Sequence, residues 1–262
     1  TGILLYYGLI RWTGAFLALV GAYLVMSLPL FAFHGAFVHV DNFVGFYLMA
    51  GLILLYRWMR EKKTALFLIA AGFFAIAGWI KDEGLILFAG GVIIPLILYS
   101  FLRRGSWKVT GVLLFSLAVF LSPWLAAEVA FRFPAAVATG EYFRLEFHPE
   151  AFGLLKRFFF NTGNYNIFWM LYLLSLIMFI PLFKKRDLIF PVLINIFTLL
   201  TALGSFIFTP LFKWLAPGTT INRAMLMVIP GLIFTMDLIW GVYLRNDNGS
   251  PGADSDRNSD GT

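Results

Sequence analysis

Long apolar runs are the feature that most constrains how this chain folds. They cover 13–33, 42–56, 65–80, 85–102, 109–129, 166–183, 188–208 and 224–244, and charged residues, Gly or Pro lie at their borders. A helix of about 20 apolar residues crosses the hydrocarbon core of a bilayer and bonds all of its backbone groups internally. Strands of a membrane barrel would instead alternate apolar and polar residues over about 10 positions. The runs therefore predict an all-α fold, a polytopic transmembrane helix bundle with about eight spans.

Composition supports a membrane fold and excludes several function classes. The chain is 60% hydrophobic and 13% charged, whereas soluble domains are about 45–50% apolar and about 25% charged. The net charge of +6 comes from basic clusters between apolar runs, which indicates membrane topology rather than nucleic-acid binding. Because the chain has no cysteine, disulfides, thiolate metal sites and thiol catalysis are excluded.

The basic clusters also predict an orientation. They fall in every second connection, at Arg11; Arg57, Arg60, Lys62 and Lys63; Arg103, Arg104 and Lys108; and Lys184, Lys185 and Arg186. By the positive-inside rule these connections are expected on the cytoplasmic side. The connections 34–41, 81–84, 130–165 and 209–223 are then external. We expect a multi-pass protein of the plasma or inner membrane.

The domain organisation follows from the same pattern. Residues 1–244 form the predicted membrane domain, within which 1–10 is interpreted as the end of an upstream helix. The external connection 130–165 is expected to contain a helix that lies in the membrane interface. The tail 245–262, rich in Gly, Ser, Asn and Asp, is predicted to be cytoplasmic and disordered.

Polar residues at the external borders are the candidates for function, since charges near lipid are costly. His39 and Asp41 precede one span; Asp41 caps a helix there, or the pair binds a substrate hydroxyl, a sugar or a cation. Lys81 and Glu83 lie in a tight turn, where they mark the water interface or where Lys81 binds a lipid phosphate. Arg223 precedes the last span as an interfacial anchor or as a bidentate phosphate ligand. A P-loop, a nucleophile elbow and zinc spacing are absent from the sequence.

Three segments carry a family resemblance. They are Val40-Asp41-Asn42-Phe43 with the helix that follows, the turn AIAGWIKDEGL at 75–85, and the run from Arg223 to Pro230. They resemble motifs of the polytopic glycosyltransferases that use lipid-phosphate-linked sugars, the superfamily of the protein O-mannosyltransferases and the aminoarabinose transferases of lipid A.

The resemblance implies a function and a set of site residues. The donor would be a sugar on polyprenyl or dolichyl phosphate, and the acceptor a lipid, a glycan or a protein on the outer face. We expect His39, Asp41, Lys81, Glu83 and Arg223 to bind substrate, and Asp41 is the candidate catalytic carboxylate. The family's own catalytic acid lies in a first external loop upstream of the matched region, so carrier-lipid binding is the function expected of this segment.

The sequence also indicates which cofactors, partners and alternative functions to expect. No organic cofactor is implied; a divalent cation is the candidate cofactor, and no protein metal site is indicated. Partners are membrane lipid and the lipid-linked sugar, and nucleic acid is not expected. A multi-pass transporter or lipid flippase is the alternative function, for which charges buried within several spans are expected. Here Glu128 lies near the external end of the fifth run, and only Asp237 is expected deep within a span. A non-catalytic membrane scaffold is the further alternative.

Overall fold

The computed structural model describes residues 1–36, 39–102, 107–131, 144–161, 163–165, 167–183 and 185–247. Within these ranges the chain is helical and forms no strand, which confirms the predicted all-α fold. The helices are α1 (Gly2–Thr13), α2 (Ala15–Ser27), α3 (Pro29–Ala36), α4 (Val40–Glu61), α5 (Thr64–Ile80), α6 (Asp82–Phe88), α7 (Ile94–Leu102), α8 (Trp107–Phe131), α9 (Glu150–Asn161), α10 (Phe168–Phe179), α11 (Arg186–Phe208) and α12 (Thr219–Asp247). A π-helical turn at Ala89–Ile93 joins α6 to α7, and 3-10 turns follow α10 at Ile180–Leu182 and precede α12 at Pro210–Trp214.

Apolar helices account for most of the described chain. Five are long and apolar enough to cross a bilayer: Val40–Glu61, Glu83–Phe101, Thr110–Phe131, Leu188–Phe208 and Thr219–Arg245. Three shorter apolar helices, Ala15–Ser27, Thr64–Ile80 and Phe168–Leu182, coincide with the other predicted runs. All eight apolar runs of the sequence therefore contain an apolar helix.

The first run, 13–33, differs from its prediction because it is not one continuous helix. Gly14 has φ 86°, which ends α1 and starts a reversal into α2. Leu28, just before Pro29, is extended with ψ 125°, and this separates α2 from α3. A residue before proline is disfavoured in the helical region, so the break follows from the proline.

Helix α12 lies at the centre of the bundle. Of its most apolar stretch, 83% is buried inside the protein, and it contacts α1, α2, α4, α10 and α11. Such a helix can be apolar on all sides because other helices, rather than lipid, surround it.

Ion pairs between helices mark two distinct ends of the bundle. At one end, Arg11 after α1 contacts Glu61 at the end of α4; we call this the basic end. At the other, Asp41 at the start of α4 contacts Lys81 and Arg223; we call this the Asp41 end. The predicted disordered tail 245–262 is wrong at its start, because α12 continues through Asp247. Residues 248–262, part of the external connection (132–143), and Arg103, Arg104 and Lys184 lie outside the described residues.

Candidate functional site

A buried carboxylate bound by two cations forms the centre of the site. The side chain of Asp41 is 0% exposed, and its Oδ1 accepts a hydrogen bond from Lys81 Nζ at 2.8 Å. Its Oδ2 accepts one from Arg223 Nε at 2.7 Å. These are charge-assisted bonds at short distance, the strong class of hydrogen bond. The structure thus brings together three of the predicted site residues, from α4, the α5–α6 turn and α12.

Two glycines allow the three elements to approach so closely. A Cβ on Gly45, one turn after Asp41, would lie 2.4 Å from the backbone oxygen of Leu226 in α12. A Cβ on Gly84, in the first turn of α6, would lie 2.2 Å from the backbone oxygen of Ala77 in α5. Real side chains do not tolerate such contacts, so the absence of a side chain at both positions places Arg223 and Lys81 beside Asp41.

Asp41 lies within the first turn of α4, because the helix begins at Val40, two residues earlier than the predicted start at 42. His39 is the N-cap residue and makes no side-chain capping bond. The carboxylate oxygens of Asp41 instead bind side chains of other elements. The prediction that Asp41 caps α4 is therefore wrong: the N-cap position belongs to His39, and Asp41 binds Lys81 and Arg223.

Lys81 connects Asp41 to a second, more accessible carboxylate. Its Nζ lies 2.9 Å from Glu83 Oε1, and the Glu83 side chain is 46% exposed. Arg223 is 45% exposed and uses Nε for Asp41, so its bond to Asp41 does not require the two terminal guanidinium nitrogens. The site therefore combines a buried anchor with an exposed rim of both charges.

A cavity of about 110 Å³ opens beside these residues between α6, α11 and α12. Lys81, Glu83 and Arg223 line its polar part. Its remaining wall is largely apolar, with Ile86, Leu87, Ala202, Phe206 and Met227 among the lining residues. A charged rim over an apolar wall matches the chemistry of an amphiphile with an anionic head.

His39 lies apart from this cavity. It lines a different cavity of about 560 Å³ between α1, α2, α3 and α4, together with Asn42 and Phe43, and its ring is 4.7 Å from that of His34. Burial and the neighbouring His39 lower the pKa of His34. Residues two apart at a helix start face different sides, which is why the predicted His39–Asp41 pair does not share one cavity.

Tyr165 and Asn222 support the site and were not singled out from the sequence. Tyr165 is buried, and its hydroxyl donates to Asn222 Oδ1 at 2.8 Å. Asn222 directly precedes Arg223 in α12, so this bond ties the loop before α10 to the start of α12. The only sequence signal was a tyrosine in a long polar connection.

Polar side chains also occur deep in the bundle. Asp237 in α12 is 2% exposed, and its Oδ2 has no hydrogen-bond partner among the described residues. A Cβ on Gly21 of α2 would lie 1.7 Å from that oxygen, so α2 passes directly over the carboxyl group. Asn195 of α11 donates to Thr235 of α12.

The described residues contain no group of three or more His, Asp or Glu side chains placed to hold a metal ion. Around Asp41, the cations Lys81 and Arg223 occupy the positions that a divalent ion would need. The predicted divalent cation stays a prediction.

Comparison with protein-family models, curated proteins and solved structures gives no match for this chain. The resemblance to glycosyltransferases therefore rests on the three sequence segments alone and stays a prediction.

Proposed function

We propose that this chain is a membrane glycosyltransferase, or part of one, that takes a sugar from a polyprenyl or dolichyl phosphate. The observation that carries the proposal is the Lys81–Asp41–Arg223 cluster at the rim of an apolar cavity. The phosphate of the carrier would bind at the rim, and the first isoprene units would lie along the apolar wall.

The two cations differ in what they offer a phosphate. Arg223 has a planar guanidinium whose terminal nitrogens suit bidentate binding, and about half of it is exposed. Lys81 is 21% exposed and is shared by Asp41 and Glu83, so it contributes a fixed positive charge. Preorganised cations of this kind stabilise the phosphate that leaves during transfer.

The two carboxylates also have different roles in this proposal. In transfer, the acceptor oxygen bonds to the sugar's anomeric carbon, the bond from that carbon to the phosphate oxygen breaks, and a base takes the acceptor proton. Asp41 is buried, and both of its oxygens are bound by cations, so it positions Lys81 and Arg223. Glu83 lies at the exposed rim of the cavity, where an acceptor can reach it. Glu83 is therefore the proposed base that takes the acceptor proton.

Release of free polyprenyl phosphate tests the proposal without knowledge of the acceptor. The full-length protein in liposomes would receive polyprenyl-phosphate mannose or aminoarabinose and a membrane extract of its host as acceptor, and the lipid product would be measured by mass spectrometry. We expect Arg223→Gln to slow release by about a hundredfold, as for loss of one donor to a developing charge. Arg144→Gln is the control, since Arg144 is an exposed arginine near the same end that pairs with Glu146. Equal release by wild type and Arg223→Gln, or none by wild type with either donor, would contradict the proposal.

Transport is the second candidate, and one observation favours it. Asp237 is a buried carboxyl group inside a span, with an oxygen that has no partner among the described residues, and such groups mark ion pathways in transporters. Asp237→Asn separates the two candidates. A transporter would lose uptake or flipping in this variant, whereas a glycosyltransferase would keep its release of polyprenyl phosphate.

A further inference from the structure

A groove on the other side of the bundle has the form of a lipid site. Its volume is about 390 Å³, and residues of α1, α4 and α5 line it. The lining is mostly apolar and includes Leu4, Phe46, Ala50, Leu54 and Phe73, while Arg11 and Arg57 lie at one end of it.

The charged end of the groove has an excess of positive charge. Glu61 lies 3.2 Å from Arg11, 3.1 Å from Arg57 and 3.2 Å from Lys63. Three cations share this one carboxylate, so two positive charges are left without a carboxylate inside the cluster. Arg11 and Arg57, the two cations that line the groove, are 65% and 40% exposed, which leaves them accessible to an anion from the solvent or the membrane surface.

Trp12 lies beneath the arginines at the charged end of the groove. Its ring packs under the guanidinium groups of Arg11 and Arg60, at 5.0 and 5.3 Å from the ring centre. Tryptophan is enriched where the hydrocarbon core meets the headgroups. The arginines therefore lie at headgroup depth, with the apolar part of the groove below them.

The length of the groove fits one leaflet. Phe46 and Arg57 line it from the same helix, α4, and eleven residues of helix rise about 16 Å. One leaflet contributes half of a hydrocarbon core about 30 Å thick. An acyl chain that enters from the basic end can follow the groove to the middle of the bilayer.

We infer that the groove between α1, α4 and α5 binds an anionic phospholipid, with the headgroup phosphate on Arg11 and Arg57 and one acyl chain along the apolar lining. Basic pockets between transmembrane helices recognise anionic lipids in this way. The groove is distinct from the Asp41 site because its headgroup end is formed at the opposite end of α4. The inference does not depend on the proposed glycosyltransferase function.

The inference is tested by adding ligand stepwise to the purified full chain in detergent and measuring the melting temperature of the protein. The ligands are phosphatidylglycerol, phosphatidylcholine and glycerol 3-phosphate, so that net charge and acyl chain are varied separately. We expect an apparent Kd for phosphatidylglycerol at least about tenfold lower than for phosphatidylcholine, and no shift with glycerol 3-phosphate. Arg11→Gln with Arg57→Gln should abolish the preference for the anionic lipid.

The control variant removes the same charge elsewhere. Lys156→Gln with Arg157→Gln, two exposed positions of α9 near the Asp41 end, should keep the preference. If the double arginine variant does not fold, Arg11→Gln alone, at an exposed side chain, should weaken phosphatidylglycerol binding several-fold. Equal Kd values for the two phospholipids, a full response to glycerol 3-phosphate, or an unchanged preference in a folded arginine variant would overturn the inference. A dimer that excludes lipid in native mass spectra would assign the groove to a second copy and would also overturn it.

Discussion

Asp41 lies in the first turn of α4, where a helix favours negative charge, yet its main contacts are with side chains from other elements. A buried carboxylate without partners would be very unfavourable. Lys81 and Arg223 supply both partners, and removal of the charge would leave two cations facing a neutral group.

Asp41→Asn should therefore destabilise the protein by about 3 kcal/mol, the lower range for breaking a buried ion pair. Glu150→Gln is the matched comparison, because Glu150 is an exposed acid in the first turn of α9. Its loss should cost about 0.3–1 kcal/mol, the range for a dipole contact alone. Unfolding in mixed detergent micelles measures both. Equal losses in the two variants would mean that Asp41 serves only its own helix.

The sequence identified Asp41, Lys81 and Arg223 one by one, because charges beside apolar runs are rare and costly. It did not predict that they bind one another. The partners lie 40 and 182 positions from Asp41, and pairing over such separations depends on how the helices are arranged. The His39–Asp41 pair was expected from closeness in sequence, and the helix start turns the two side chains to different sides.

At the scale of elements, the contact of α4 with α12 determines whether the site forms. Gly45 lies against the backbone of α12 at Leu226, three residues after Arg223 in the sequence. Any side chain at Gly45 separates the two helices and lengthens the Asp41–Arg223 contact. The sequence indicated two apolar helices here, but their crossing point depends on this glycine, which looks like any other in an apolar run.

Gly45→Ala should destabilise the bundle by about 1–3 kcal/mol through overpacking and should weaken binding at the Asp41 site. Gly111→Ala in α8 is the control, since a Cβ at Gly111 meets nothing within 4 Å. That change should be neutral or stabilising by up to about 1 kcal/mol, because alanine favours helix. The free energy of unfolding of each variant is measured in parallel under the same conditions. A Gly45→Ala protein as stable as Gly111→Ala would contradict the close contact.

Breaks and distortions of helices were the least predictable elements. The turn at Pro29 follows from a residue type that the sequence displays. The π-helical turn at Ala89–Ile93 does not: there, Gly90 and Gly91 lie against Thr201 and Thr198 of α11. It coincides with a close contact between two helices that are distant in the sequence, and the local pattern does not indicate this contact.

For the whole molecule, the spacing of apolar runs and basic clusters predicted the helix bundle, because a bilayer constrains helix length and charge position strongly. The ion pairs at the two ends agree with an alternating arrangement of helices. The orientation of the bundle in its membrane remains the prediction of the positive-inside rule.

Cysteine labelling in intact cells tests that orientation. Gly153→Cys adds a side chain to open space on α9, near the Asp41 end. Lys185→Cys lies at an exposed position just before the start of α11, near the basic end. A membrane-impermeant maleimide should label Gly153→Cys, and Lys185→Cys only after permeabilisation. The reverse pattern would place the Asp41 end in the cytoplasm, and labelling of both would contradict the two-ended arrangement.

The affinity of the Asp41-end cavity for polyprenyl phosphate tests most directly whether this cavity binds the carrier lipid. Ser205→Trp fills the cavity without removing any charged residue, since Ser205 lines it and its hydroxyl donates to the backbone oxygen of Ala202 in its own helix. Ser122→Trp is matched to it, because Ser122 makes the same bond to Val119 on an exposed face of α8. With both variants folded, we predict that Ser205→Trp raises the Kd for polyprenyl phosphate at least about tenfold, a loss of about 1.4 kcal/mol, while Ser122→Trp leaves it unchanged. Wild-type affinity in Ser205→Trp would contradict the assignment of this cavity to the carrier lipid.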